Sequence, residues 1–241
     1  MPTGGYEVTI GMAAATAAAL STEGAWLYAL LAVETSNRAT LPVVWLQSRR
    51  YSEKTTVRWP GACAAYTSPG RDSIGVGARI DPGFSVPIST GQLLTIDQPT
   101  GTGQVTQPGP SAKALAIFNQ TTTPFTAGVS QKLDGVFMPI CTLPLYGQSV
   151  ELIVPLEQIL LAFSTRPMTP GTVVTLLLGP GMLIDLTGAS ERSVQYDINR
   201  GWSCGGQTWG RAVAPIEEVL PLLVKRSEAL SRAARRAVAS M

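Results

Sequence analysis

The amino-acid sequence predicts an all-β protein, a β-sandwich or barrel of short antiparallel strands with an amphipathic α-helix at the C-terminal end. Composition is the first observation behind this prediction: the chain of 241 residues is 45% hydrophobic and 14% charged, with 24 glycines and 18 prolines. It is too apolar for a disordered chain and too rich in turn residues for a helical bundle. The second is that strand-length apolar runs recur with Pro and Gly between them, without the long helical periods of a βαβ fold.

The N-terminal half contains the clearest strand patterns. Residues 6–10 alternate apolar and polar side chains, as a half-buried strand does, and Lys54–Trp59 repeats that alternation. Residues 26–33 form a continuous apolar run, which predicts a strand, and turn-forming residues connect it to a second predicted strand, LPVVWLQ. The alanine-rich segment that begins near residue 12 is compatible with a short helix or a loose strand. Residues 68–110 are interrupted by Pro and Gly, and we expect long loops there, over one end of the sandwich.

The C-terminal half repeats the pattern of apolar runs separated by turn residues. Five runs are predicted as separate strands: VELIV, QILLAF, TVVTLLL, MLIDL and SVQYDI. Pro155 lies between the first two, where a sheet tolerates proline better than inside a strand. We therefore expect a single β-sandwich domain over residues 1–215.

Residues 216–241 predict a basic amphipathic helix. Leu230, Ala234 and Ala237 fall on one side of a helical wheel, and Arg232 and Arg236 fall opposite them. Three interpretations are open: a helix packed on the sandwich, a contact in a homo-oligomer, or an interfacial helix on an anionic membrane.

The charge distribution is uneven. The formal net charge is +2, and residues 225–241 hold five basic residues and one acidic residue, so the rest of the chain is net negative. That body has no basic face that its total charge would require, and no nucleic-acid partner is expected. No apolar run approaches the ~20 residues of a membrane-spanning helix, and no basic residue precedes the apolar N-terminal run. We expect a soluble, cytoplasmic protein without a transmembrane segment.

Chemistry is constrained by the complete absence of histidine. This excludes the usual Ser-His-Asp and Cys-His arrangements and the commonest zinc ligand sets, and we expect neither a cofactor nor a metal. Candidates for acid–base assistance are Asp185, Tyr196 and Asp197. The three cysteines are scattered along the sequence, and we interpret all of them as buried structural residues: Cys63, Cys141 and Cys204.

Aromatic residues and glycines are concentrated in residues 196–210, YDINRGWSCGGQTWG. Glycines allow close approach of a ligand, and aromatic rings give flat apolar surfaces with a polar group at one end. A second aromatic segment contains Trp59 and flanks a Pro-Gly turn. Together these segments predict a ligand-binding set: Trp59, Tyr66, Tyr196, Asp197, Trp202 and Trp209. The alternative is that the tryptophans pack in the core or hold a long loop against the sandwich.

Four segments of the chain together resemble a known group of proteins: LPVVWLQSRRY, TTVRWPGACAAYTS, PLEQILLAFSTRPMTPGTVV and IDLTGASERSVQYDINRGWS. Their spacing of strands and tryptophans over residues 41–209 resembles that of the RhiA-like small β-rich microbial and fungal proteins. The resemblance implies a β-rich fold and includes no catalytic motif, so it implies no activity.

Three functions follow as hypotheses. The first is binding of a small apolar molecule in a pocket lined by long loops and residues 196–210. The second is a cofactor-independent isomerase or cyclase acting on an apolar molecule by holding it in a reactive shape. The third is a capsid-like or lattice-forming protein, with a homo-oligomeric contact through the C-terminal helix.

Overall fold

The computed structural model describes residues 5–69 and 74–240. It confirms the predicted class, because strands take up 49% of the chain and helices 11%. The first strands are β1 (Tyr6–Gly11), β2 (Trp26–Thr35), β3 (Leu41–Pro42), β4 (Leu46–Ser48), β5 (Lys54–Trp59), β6 (Cys63–Ser68), β7 (Phe84–Ile88), β8 (Leu93–Ile96) and β9 (Gly103–Thr106). The others are β10 (Leu115–Asn119), β11 (Phe125–Leu133), β12 (Val136–Leu145), β13 (Ser149–Ser164), β14 (Gly181–Asp185), β15 (Glu191–Asp197), β16 (Gly201–Ser203), β17 (Gly210–Val213) and β18 (Val224–Arg226). The helices are α1 (Ala14–Thr22), α2 (Leu220–Leu223) and α3 (Glu228–Ser240).

Three sheets enclose the main hydrophobic core. The largest has the order β17-β14-β13-β10-β8-β9, and β2 also pairs with β13 and brings in β4 and β18. The second has the order β3-β12-β11-β6-β7, and the third has the order β16-β15-β1-β5. Buried side chains of all three sheets join in one cluster, for example Leu31, Val129 and Val8. The sandwich prediction is therefore confirmed.

The continuous apolar run of residues 26–33 forms most of β2, as predicted, and the structure buries this strand on both faces. Leu27 and Leu31 point into the main core, whereas Tyr28 and Leu30 belong to a second cluster on the opposite face of the same sheet. Successive side chains of a strand point to opposite faces, so a strand covered on both sides needs apolar residues at every position.

Two strand predictions in the C-terminal half differ from the structure. The runs on either side of Pro155 form one strand, β13, and its pairing with β2 is irregular between Pro155 and Ile159. Proline lacks an N–H donor, so it sits where the ladder is interrupted. The run TVVTLLL, residues 172–178, was predicted as a strand but does not pair continuously with any neighbour. It forms single antiparallel β-bridges to Val43, Arg79 and Glu218.

The C-terminal segment is helical over a shorter range than the predicted 216–241. Residues 220–226 form the short α2 and then β18, which pairs in parallel with β2, and α3 begins at Glu228. Leu230, Ala234 and Ala237 pack against the outer face of β10 and β13. The helix is therefore packed on the sandwich, as the first of the three interpretations has it. Among the described residues, no helix is long and apolar enough to cross a lipid bilayer.

Candidate functional site

The aromatic residues of 196–210 meet in the main core. Tyr196 and Trp202 pair across the β15–β16 hairpin, and their ring centroids lie 4.9 Å apart. Phe163 of β13 stacks on Trp202 with a centroid distance of 5.4 Å and contacts Tyr196 at 4.7 Å. Trp202 is only 8% exposed, and its Nε1–H donates to Pro180 O at 2.9 Å. The rings thus fill space between sheets, and the one polar group of Trp202 is already hydrogen-bonded.

The remaining predicted residues of this segment are engaged locally. The Asp197 carboxylate accepts hydrogen bonds from the backbone N–H groups of Asn199 and Arg200, both at 2.9 Å, and so shapes the turn between β15 and β16. Trp209 is half-buried, and the Arg192 guanidinium lies over its ring at 5.0 Å. Both arrangements are ordinary stabilising contacts of a surface loop.

Trp59 and Tyr66 lie apart from each other. Trp59 is buried in the main core against Tyr6 and Trp45, with centroid distances of 5.3 and 5.5 Å. Tyr66 is buried in a different cluster, and its hydroxyl donates to Cys141 O at 2.8 Å. Of the six predicted ligand-binding residues, the structure brings only Tyr196 and Trp202 into ring contact with each other.

Of the three candidates for acid–base chemistry, Asp185 and Asp197 accept hydrogen bonds from neighbouring residues, and Tyr196 packs its ring in the core. The Asp185 carboxylate accepts from Thr187 N at 2.8 Å and from Gln158 Nε2 at 3.2 Å. Burial alone would raise the pKa of Asp185, but these hydrogen bonds outweigh it and hold the pKa below its ordinary value. Burial raises the pKa of Tyr196, which keeps the phenol protonated. A group with a lowered pKa is a weaker base, so Asp185 is poorly suited to remove a proton near neutral pH.

The cysteines are all free, and their surroundings differ. Cys63 and Cys141 are buried, and burial raises the pKa of their thiols to about 11 and about 12. Cys204 is only half-buried, so its interpretation as a buried residue is wrong. It lies on the β16–β17 loop, where its thiol donates to Gln207 O at 3.2 Å. Among residues 5–69 and 74–240, no three His, Cys, Asp or Glu side chains are grouped so as to hold a metal ion.

Three concave regions lie elsewhere on the molecule. A cleft of about 230 Å³ opens between β6–β7 and β10–β13, beside Cys63, Ile88 and Pro155. A polar groove of about 390 Å³ lies between α3 and the β2–β3 turn. An apolar groove of about 420 Å³ is formed by two loops, and its lining residues are Val76, Gly77, Pro167, Met168, Thr169, Thr172, Val173, Val174, Thr175, Leu176 and Leu178.

The apolar groove exposes large hydrophobic side chains. Val76 is 70% exposed, Leu176 41% and Leu178 36%. The intervening Leu177 is buried in the cluster beneath, because alternate residues of this extended segment point in opposite directions. Exposed apolar side chains that border one concave surface are typical of ligand-binding grooves.

Backbone hydrogen bonds hold both loops of the apolar groove in place. Gly77 N donates to Val173 O at 2.9 Å, and Val173 N donates to Ala78 O at 2.8 Å. The Tyr28 hydroxyl, buried below, donates to Arg166 O at 2.7 Å and accepts from Met168 N at 3.0 Å. The walls of the groove are thus tied to the sandwich by hydrogen bonds.

The sequence indicated this site only indirectly. The run TVVTLLL was predicted as a strand, because its composition is that of a buried strand. The one signal against a strand is the preceding RPMTPG, whose two prolines and glycine favour an irregular segment.

No protein-family model, curated protein or solved structure matches this chain. The resemblance to RhiA-like proteins therefore stays a prediction.

Proposed function

We propose that the protein binds a small apolar molecule in the apolar groove between residues 74–80 and 165–178. The observation that supports this most directly is the concentration of exposed apolar side chains around one concave surface. Its volume of about 420 Å³ falls within the range of roughly 300–1,000 Å³ that is typical of small-molecule sites. The residues 196–210, which the sequence favoured as a pocket wall, are absent from its lining.

The chemistry of the lining favours a ligand that is mainly hydrocarbon. Met168 has an unbranched, polarisable side chain that adapts to irregular shapes. Hydroxyl groups are available at Thr169, Thr172 and Thr175, and none of the described residues that line the groove is charged. Burial of the exposed leucine and valine surface would stabilise the complex by about 25 cal/mol per Å² of apolar area. A few threonine hydroxyls can orient one polar group of such a ligand.

The test is a fluorescence titration with Nile red, a neutral apolar dye. We expect the Leu176→Asp/Leu178→Asp variant to bind the dye at least tenfold more weakly, because carboxylates would stand on the groove wall. The matched control is Val136→Asp, since Val136 is 60% exposed but lies in the β11–β12 hairpin away from the groove. Equal weakening by both variants, or no weakening by the groove variant, would contradict the proposal.

Self-association is the second candidate function, and Ile216 favours it. This residue is 74% exposed and has φ +67°, a conformation that β-branched residues rarely adopt. Its N–H donates to Leu177 O at 2.7 Å, so it lies beside the apolar groove and extends the exposed apolar surface. Sedimentation distinguishes the two functions: a discrete oligomer that Ile216→Asp dissociates supports self-association, and a monomer at high concentration excludes it.

A further inference from the structure

Arginines that are distant in the sequence meet at the outer face of α3. Arg232, Arg235 and Arg236 are spaced by three and four residues, so they lie on one side of the helix. Arg38, from the β2–β3 turn, joins them across the polar groove, because Arg38 and Arg235 both line it. All four side chains belong to exposed residues, and we call them the arginine face.

The charges of the arginine face are largely unpaired. In the described part of the chain, no carboxylate oxygen lies within 4.0 Å of the helix arginines, whereas Arg38 contacts Glu228 at 3.5 Å. The second acid of the groove, Glu151, is mostly buried and accepts from Ser36 Oγ at 2.6 Å and Asn37 Nδ2 at 2.9 Å. Burial raises the pKa of Glu151, and the two hydrogen bonds act against that rise.

The packing of α3 limits what its outer face can contact. Leu230, Ala234 and Ala237 pack against β10 and β13, so among the described residues of α3 the one large hydrophobic side chain left exposed is Val238. One valine is too small an apolar face for insertion into a membrane. The guanidinium group presents a planar fork of N–H donors that matches the oxygens of phosphate and of carboxylate, so the arginine face is suited to an oxyanion.

We infer that the arginine face binds the phosphate backbone of a nucleic-acid strand, which lies in the polar groove beside α3. A single phosphate would need only Arg38 and Arg235 in the groove. Arg232 and Arg236 extend the cationic surface beyond it, and this extension fits a polymer with repeated charges. The inference differs from the expectation drawn from net charge, because that expectation treated the C-terminal charges separately from the sandwich. It is independent of the apolar groove.

The test is fluorescence anisotropy with a labelled single-stranded RNA oligonucleotide and its DNA equivalent, over a series of salt concentrations. We expect Arg232→Gln/Arg235→Gln/Arg236→Gln to weaken binding at least tenfold. The slope of log K against log salt should become less steep by about 2, given about 0.7 per phosphate contact with a single strand. Glutamine preserves helix propensity, and a circular-dichroism melt confirms that the variant is folded.

The matched control is Arg50→Gln/Arg166→Gln/Arg200→Gln, which removes the same charge from exposed positions outside α3. We expect this control to change affinity less than threefold. Equal weakening by the two triple variants would overturn the inference, because binding would then follow net charge alone. Absence of salt-dependent binding by the native protein would overturn it too, as would tighter binding to polyglutamate or to phosphatidylserine vesicles.

Discussion

Residues 196–210 and the apolar groove both contain large apolar side chains. The fold buries Tyr196 and Trp202 in the first region and leaves the leucines of the second partly exposed. In the first region Tyr196 and Trp202 pack against Phe163, and the polar atom of Trp202 is hydrogen-bonded to Pro180 O. In the second, Leu176 and Leu178 stay exposed although the backbone around them is well bonded. Leu176 keeps 41% of its surface exposed and Leu178 keeps 36%.

This difference shows that aromatic and glycine content alone does not separate a binding site from a packed hairpin. The glycines of the aromatic segment illustrate the point. Gly205 and Gly206 have φ +66° and +76°, so the backbone of the β16–β17 loop is one reason for glycine at these positions. A candidate site is better indicated by apolar residues that the fold leaves uncovered.

The largest expected effect tests whether the aromatic segment is part of the core. Trp202→Ala should lower the free energy of unfolding by about 3–5 kcal/mol, since it removes a buried ring and leaves a cavity. Leu176→Ala should change it by less than about 0.5 kcal/mol, because an exposed side chain contributes little. Urea titrations measure both values. A Trp202→Ala variant of native stability would mean that the ring is not a core residue.

Much of the fold was predictable because the core imposes strict patterns. The continuous apolar run of β2 and the alternation of β5 each predicted a strand. In the structure β2 is buried on both faces and β5 on one face. The alanine-rich segment left two alternatives, and the structure resolves it as α1. Pairing across Pro155 was not predictable, because a bulge leaves no local signal apart from the proline itself.

The candidate sites were less predictable, since they depend on contacts between distant segments. Residues 172–178 have the composition of a strand, and only the lack of a continuous neighbour leaves them irregular. The arginine face likewise requires Arg38 and Arg235 to meet across the polar groove, and no spacing in the sequence indicates that meeting. The aromatic cluster was visible in the sequence, but its partner Phe163 was not.

Thiol reactivity compares the aromatic segment of residues 196–210 with the buried core. At pH 8 the buried Cys63, with its pKa raised to about 11, has roughly one thiolate per 1,000 molecules. We expect a thiol-specific reagent to modify Cys204 of the aromatic segment and to leave Cys63 and Cys141 protected until the protein unfolds. Mass spectrometry of digested protein identifies the modified residue. Rapid labelling of Cys63 in the native state would contradict the protection that we expect from its burial and its raised pKa, although the thiol lies beside the cleft between β6–β7 and β10–β13.

The smallest expected effect concerns the hydroxyl of Tyr196. Its ring is buried against Phe163 and Trp202, but among the described residues the hydroxyl has no hydrogen-bond partner. Tyr196→Phe keeps the ring contacts, so we expect the free energy of unfolding to change by less than about 0.5 kcal/mol and Nile red binding to stay the same. The control is Phe163→Ala, which removes a neighbouring ring and should destabilise the fold severely. If Tyr196→Phe abolished ligand binding while stability stayed native, the hydroxyl would belong to a functional site after all. The aromatic segment would then contribute to recognition in addition to packing, and the apolar groove would lose its place as the better candidate.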